Sequence, residues 1–176
     1  MKEKYVSEIM IPLDKYPHIP YWFTLRQAIA EFEKAEFNIN GRVSRTRFVL
    51  VFDEEYQLLG TVRRRDIMRG LEPEFLHDKP LKHRKALFDI HASDSQLFSV
   101  FSYDQMIESI RKQAERPVKD VMIPIPVTVN NNDHIVKAMY EIVEYNVALV
   151  PVLEDGHVAG VVRSNDLFHE VALLLL

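Results

Sequence analysis

Apolar residues recur at helical spacing in two stretches of this chain. Leu25, Ala28, Ile29 and Phe32 fall on one helix face, and so do Ile135, Ala138, Met139, Ile142 and Val143. Each stretch is followed by two short aliphatic runs with a polar turn between them. In the first half these are Phe48 to Phe52 and Leu58 to Val62 around "DEEYQ"; in the second, "NVALVPVLEDGHVAGVV" turns at Asp155-Gly156. A new amphipathic run then opens at Asp66 and at Asp166. The pattern predicts strand, helix, strand, strand, helix, twice over.

The repetition extends to the letters. "VSEIMIP" (Val6 to Pro12) matches "VKDVMIP" (Val118 to Pro124), "TLRQAIAEF" matches "HIVKAMYEI", and "GTVRRRDIM" (Gly60 to Met68) matches "GVVRSNDLF" (Gly160 to Phe168). The first copy is longer by twelve residues, ten of them around Asn38 to Arg47, where turn formers and arginines predict an enlarged loop over 38–47. The boundaries expected are a first domain over 1–72, a connecting segment over 73–116 and a second domain over 117–176. The connection should carry a short helix, because Ser102 and Gln105 form a capping box ahead of Met106, Ile107 and Ile110, with Pro117 beyond its end. A unit of about 60 residues with one small sheet is marginal alone. The fold class expected is therefore α/β (α+β): two small three-stranded sheets with flanking helices, packed sheet to sheet in a pseudo-twofold arrangement around a cleft.

The order Met-x-Pro, helix, Leu-Val-Pro-Val, acidic turn, Gly-x-x-x-x-x-Asp-Leu, seen in Met122 to Pro124, Leu149 to Val152, Glu154 to Gly156 and Gly160 to Leu167, resembles the cystathionine β-synthase (CBS) domain. Two copies, over about residues 5–70 and 117–172, resemble a tandem CBS-domain pair. The first copy departs from the pattern at Val51, where the second has Pro151, and in its enlarged loop. The resemblance implies a sensor module rather than an enzyme. Its ligand would be an adenine nucleotide or adenosyl compound of the AMP, ADP, ATP or S-adenosylmethionine class, held in the cleft between the copies. It also implies a homodimer formed through the flanking helices, and leaves room for a protein partner.

Carried over position by position, the resemblance makes Asp66 and Asp166 acceptors for ribose hydroxyls and puts Arg63, Arg163 and Ser164 beside them at the strand-to-helix corners. Met10, Ile11, Met122 and Ile123, with Val127 and Thr128, would line the cleft; Arg47 and Phe48 would face Asp166 and Arg163, while Val147 and Ala148 would face Asp66 and Arg63. Both copies have arginine where the family usually has Ser or Thr, which suggests either a more anionic ligand or a filled pocket. The corner at Asp66 is expected to favour base plus ribose, and the corner at Asp166 to respond more to phosphate count. Without any ligand, each aspartate also reads as an N-cap worth about 1 kcal/mol.

Composition narrows the alternatives. The chain is 176 residues and 47% hydrophobic with a formal net charge of −4, and its pI near 6.0 argues against general nucleic-acid binding. Seven arginines against four acids between Arg42 and Arg69 leave binding of a single-stranded nucleic acid as a minor reading. There is no cysteine, no Gly-rich phosphate loop and no metal-ligand spacing among the histidines, so neither a metal nor catalysis is predicted, and His77, His83 and His91 read as ordinary polar positions. Charges break the N-terminal apolar positions and "VALLLL" is too short to span a bilayer, so a cytoplasmic protein without membrane contact is expected. The alternative to a ligand sensor is a nucleotide-free dimerisation and protein-interaction scaffold in which Arg63 and Arg163 make structural salt bridges.

Overall fold

A computed structural model describes residues 3–39, 41–74 and 102–176. Most of the 73–116 connection, including His77, His83 and His91, lies outside the described residues. The first copy runs β1 (Ile11–Pro12), β2 (His18–Pro20), α1 (Leu25–Lys34), β3 (Glu36–Ile39), β4 (Arg42–Arg45), β5 (Phe48–Phe52), β6 (Leu58–Arg63) and α2 (Arg64–Leu71). After α3 (Tyr103–Gln113) the second copy runs β7 (Val129–Asn130), α4 (Ile135–Glu144), β8 (Leu149–Glu154), β9 (His157–Arg163) and α5 (Ser164–Leu175).

Local chemistry accounts for these boundaries. Thr24 caps α1 by accepting from Gln27 N while Gln27 Oε1 accepts from Thr24 N, and Ser102 and Gln105 repeat the device on α3 as the spacing predicts. Helix α3 stops at Gln113, one turn short of Pro117. The β8–β9 turn uses Asp155 and Gly156 at φ 49° and 79°, the left-handed pair that a two-residue hairpin needs. The insertion at 38–47 differs from the loop expected: β3 and β4 pair antiparallel from Glu36↔Arg45 to Ile39↔Arg42, with Gly41 at φ 81° in the connection. Read for its turn formers and arginines, the segment hid its strands.

The sheets are β2-β5-β6 and β1-β9-β8-β7. The second has four strands rather than three because β1, from the first copy, adds to β9 through Ile11↔Val161 and Pro12↔Gly160. The reciprocal crossing is a pair of hydrogen bonds, Thr61 N→Ile123 O at 2.9 Å and Ile123 N→Thr61 O at 2.8 Å. Repeat and packing unit therefore do not coincide. Val6 is buried in the core of the second copy with Val129, Ile135, Ala138, Val150 and Val162, and Val118 in that of the first with Leu25, Ala28, Val49, Val51 and Val62. The incoming segments also close the helix starts: Leu25 N donates to Arg116 O and Ile135 N to Lys4 O.

Between the two cores lies a third cluster of Ile11, Tyr16, Leu50, Phe52, Leu149 and Val161. Strand β5 sends Val49 and Val51 to its own core and Leu50 and Phe52 to this interface, so it is buried on both faces and reads as an unbroken apolar run. The sheets thus meet face to face, and each β-to-α corner lies at an edge of that contact.

Candidate functional site

Each corner forms because a strand feeds directly into a helix. Helix α2 opens at Arg64 and α5 at Ser164, with Arg63 and Arg163 as the N-cap residues. The aspartates are thus the third helical residues, one turn inside the N-cap position read from sequence. Asp66 is 2% exposed. Its Oδ2 accepts from Arg63 N at 3.0 Å and Arg63 Nε at 2.8 Å, and its Oδ1 accepts from Arg63 Nη2 at 2.8 Å. The second corner repeats the fork, with Arg163 Nε to Asp166 Oδ2 at 2.6 Å and Nη2 to Oδ1 at 2.8 Å. Burial alone would push the Asp66 carboxyl up. The Arg63 side-chain and backbone hydrogen bonds, with the charges of Arg63 and Arg69, outweigh it and hold the carboxyl below its ordinary value.

The glycines that open both motifs have a structural reason. A Cβ on Gly60 would stand 2.4 Å from the carbonyl oxygen of Ile123, and one on Gly160 would stand 2.3 Å from that of Ile11. Each glycine lets the segment from the other copy cross the strand at backbone contact. They build the corner without touching anything that enters it.

Around Arg63 the corner faces a cleft of about 240 Å³, lined by Phe48 and Thr61 of the first copy and by Ile123 to Pro126 and Asn146 to Leu149 of the second. Of the residues expected to bind the ligand, the structure brings together here Arg63, Ile123, Val147 and Ala148, with Phe48 from the set expected at the other corner. Asp66 sits behind Arg63 rather than on the cleft wall. Met122 packs against the first core, and Met10 and Val127 against the second. Ile11 belongs to the inter-sheet cluster, while Thr128 and Arg47 are exposed. Thr61, Pro124, Ile125, Pro126, Asn146 and Leu149 were missed. Asn146 could have been suspected from its place before a strand, since at φ 50° it occupies the left-handed region that asparagine tolerates better than most residues.

The corner at Asp166 has a buried tyrosine beside it, close enough for the charges of Arg163 and Asp166 to act on its hydroxyl. This residue, Tyr16, is 2% exposed, with its hydroxyl donating to the Phe48 carbonyl at 3.0 Å and within 3.1 Å of Thr46 Oγ1. Burial pushes the Tyr16 hydroxyl up to about 12, with the Thr46 hydrogen bond and the Arg163 charge opposing and the Asp166 charge adding. Arg47 and Phe48 were expected to face this corner. Instead the Phe48 carbonyl holds Tyr16 there, and the residue itself lines the other cleft. Ser164, half-buried, donates its backbone N–H to Ala148 O at 2.9 Å, tying the start of α5 to β8.

Residues 118–173 match the sequence model of the CBS domain. The match is confined to that stretch, and the fold of the whole chain is that of CBS-domain pairs. Similar solved structures include CBSX2 in complex with AMP, 17% identical with 98% of each chain covered and a TM-score of 0.61. A CBS domain-containing protein of unknown function from Kribbella flavida is 13% identical over 96% of this chain and 98% of that one, at a TM-score of 0.68. The CBS domain of a bacterial CNNM/CorC family Mg²⁺ transporter, in complex with ATP, is 19% identical over 96% and 87%, at 0.61. At these identities the likeness is one of fold. No curated protein matches the chain.

Proposed function

We propose that this CBS pair is a regulatory module that binds an adenosyl compound in the cleft at Arg63 and carries out no catalysis of its own. The observation that carries the reading is the cleft itself, whose walls come from both copies: Phe48, Thr61 and Arg63 on one side, Ile123 to Pro126 and Asn146 to Leu149 on the other. A flat base suits the slot between Phe48, Ile125 and Val147, and ribose hydroxyls can meet Thr61 and Arg63. The AMP and ATP complexes of CBS proteins with this fold support the choice of ligand class. A ligand that bridges both copies stabilises their relative placement by mass action, about 2.7 kcal/mol at a hundredfold excess over the dissociation constant.

The same reading includes a cytoplasmic homodimer. On α4 the exposed positions Val136, Met139, Tyr140 and Val143 form a stripe, continued on α5 by the exposed Phe168 and Leu175. The matching positions on α1, Arg26, Ile29, Ala30 and Glu33, are interrupted by charge. An isologous contact through α4 and α5 is the arrangement this favours. The alternative, a nucleotide-free scaffold, draws on the Arg63–Asp66 and Arg163–Asp166 pairs, which already occupy both aspartates. Thermal unfolding with millimolar AMP, ADP, ATP, S-adenosylmethionine or NADH separates the two. A rise in melting temperature with at least one adenosyl compound is expected, and none with any of them leaves the scaffold.

A further inference from the structure

On the reading that the Arg63 cleft holds an adenosyl ligand, we infer that it selects ligands of low negative charge, a nucleoside or a zwitterionic adenosyl compound, against di- and triphosphates. Among the described residues that line the cleft, Arg63 is the one cationic side chain. Its Nε and Nη2 are committed to the two oxygens of a buried carboxylate, so the pair presents almost no net charge to the cleft. A phosphate could draw Arg63 away only by leaving Asp66 charged and unpaired inside the protein, which is strongly unfavourable.

The remaining donors are few. Within Ile123 to Pro126 the two prolines have no N–H, and Ile123 N already bonds Thr61 O, which leaves Ile125 as the free backbone donor of that wall. The start of α2, ordinarily attractive to anions, carries Asp66 in its first turn, and that carboxylate opposes the helix dipole there. Arg64 does not compensate: its guanidinium stands 5.6 Å from the centroid of the Phe32 ring, over α1. The cleft is also below the ~300–1,000 Å³ typical of small-molecule sites, a size for a nucleoside more than for a nucleotide with a polyphosphate tail. Arginine at the family's usual Ser or Thr position therefore does not make the site more anion-seeking, contrary to one expectation from sequence.

Isothermal titration of the full chain with adenosine, S-adenosylmethionine, AMP, ADP and ATP tests this. Adenosine or S-adenosylmethionine should bind best and ATP on the order of tenfold or more weaker, with little change in affinity between about 50 and 500 mM salt. ATP binding tightest, or affinity that climbs with each phosphate, would overturn the inference while leaving the adenosyl reading intact. No binding by any of the five would overturn both. Asp66→Asn provides an independent check, since it removes the compensating charge: its preference should swing toward ATP by about tenfold relative to adenosine. An unchanged order in a folded variant means that the Arg63–Asp66 pair does not set the selectivity.

Discussion

The two strand-to-helix corners are built alike and end differently. Each has the glycine crossed by the other copy's segment, the forked Arg–Asp pair and the helix that starts one residue after the arginine. Yet one opens onto a cleft of about 240 Å³, and the other has a buried tyrosine beside it. The difference comes from what the opposite copy sends across. To the Arg63 corner it sends "IPIP" and a turn at Asn146; to the Arg163 corner it sends Tyr16, from a first copy that takes two more residues to run from Met-Ile-Pro to its helix cap. A duplicated motif thus fixes a duplicated scaffold, while what stands beside each corner is decided by residues outside the motif.

The largest effect should come from removing the tyrosine beside the second corner. Tyr16→Ala deletes a buried aromatic from the inter-sheet cluster and should cost about 3–5 kcal/mol, read as a large fall in the urea midpoint. If the corners are otherwise equivalent, the ligand stoichiometry measured by titration should rise from one to two per chain in that variant. A stoichiometry that stays at one would mean that the Arg163 corner differs by more than its tyrosine.

A smaller change tests the shared scaffold and separates the two sides. Alanine at Gly60 or Gly160 drives a methyl into a backbone oxygen, and each should destabilise by about 1–3 kcal/mol. Only Gly60→Ala lifts Ile123, which lines the open cleft. Ligand affinity should therefore fall severalfold in Gly60→Ala and hold in Gly160→Ala. Equal losses in both would show that the clefts are coupled through the whole interface.

Much of this was readable from sequence, for reasons that can be named. The helical faces of α1 and α4, their starts and the β8–β9 turn are local chemistry, and packing of two sheets around a joint core follows from treating the chain as two marginal copies. The Arg–Asp corners were visible too, but not their pairing, because three residues of spacing do not say whether a guanidinium turns toward a ligand or back along its own helix. The glycines that open both corners are explained by backbone crossing. Tyr16 was hidden altogether. In "LDKYPHIP" it stands among charges and prolines that look solvent-facing, and its burial depends on a contact with Thr46 and Phe48, thirty residues on, that no local pattern encodes.

The hydroxyl of Tyr16 allows the mildest test of the comparison. Tyr16→Phe keeps the ring in place and removes the hydroxyl with its hydrogen bonds to the Phe48 carbonyl and Thr46. At neutral pH it should cost about 1 kcal/mol and leave the stoichiometry at one. The parent chain has a further dependence that the variant lacks. Its folded-state hydroxyl titrates at about 12, above the ordinary ~10 of an unfolded tyrosine, so the unfolded chain gives up this proton first as pH rises. The protonated hydroxyl thus contributes fully below pH ~10, and its contribution is lost between about 10 and 12, roughly 1.4 kcal/mol of it by pH 11. Urea midpoints at pH 8 and pH 11 should therefore converge, with the parent losing about 1.4 kcal/mol more than Tyr16→Phe over that interval. Parallel losses in the two proteins would place the alkaline sensitivity elsewhere, and the Tyr16 hydroxyl would then be in contact with water rather than buried between the two copies.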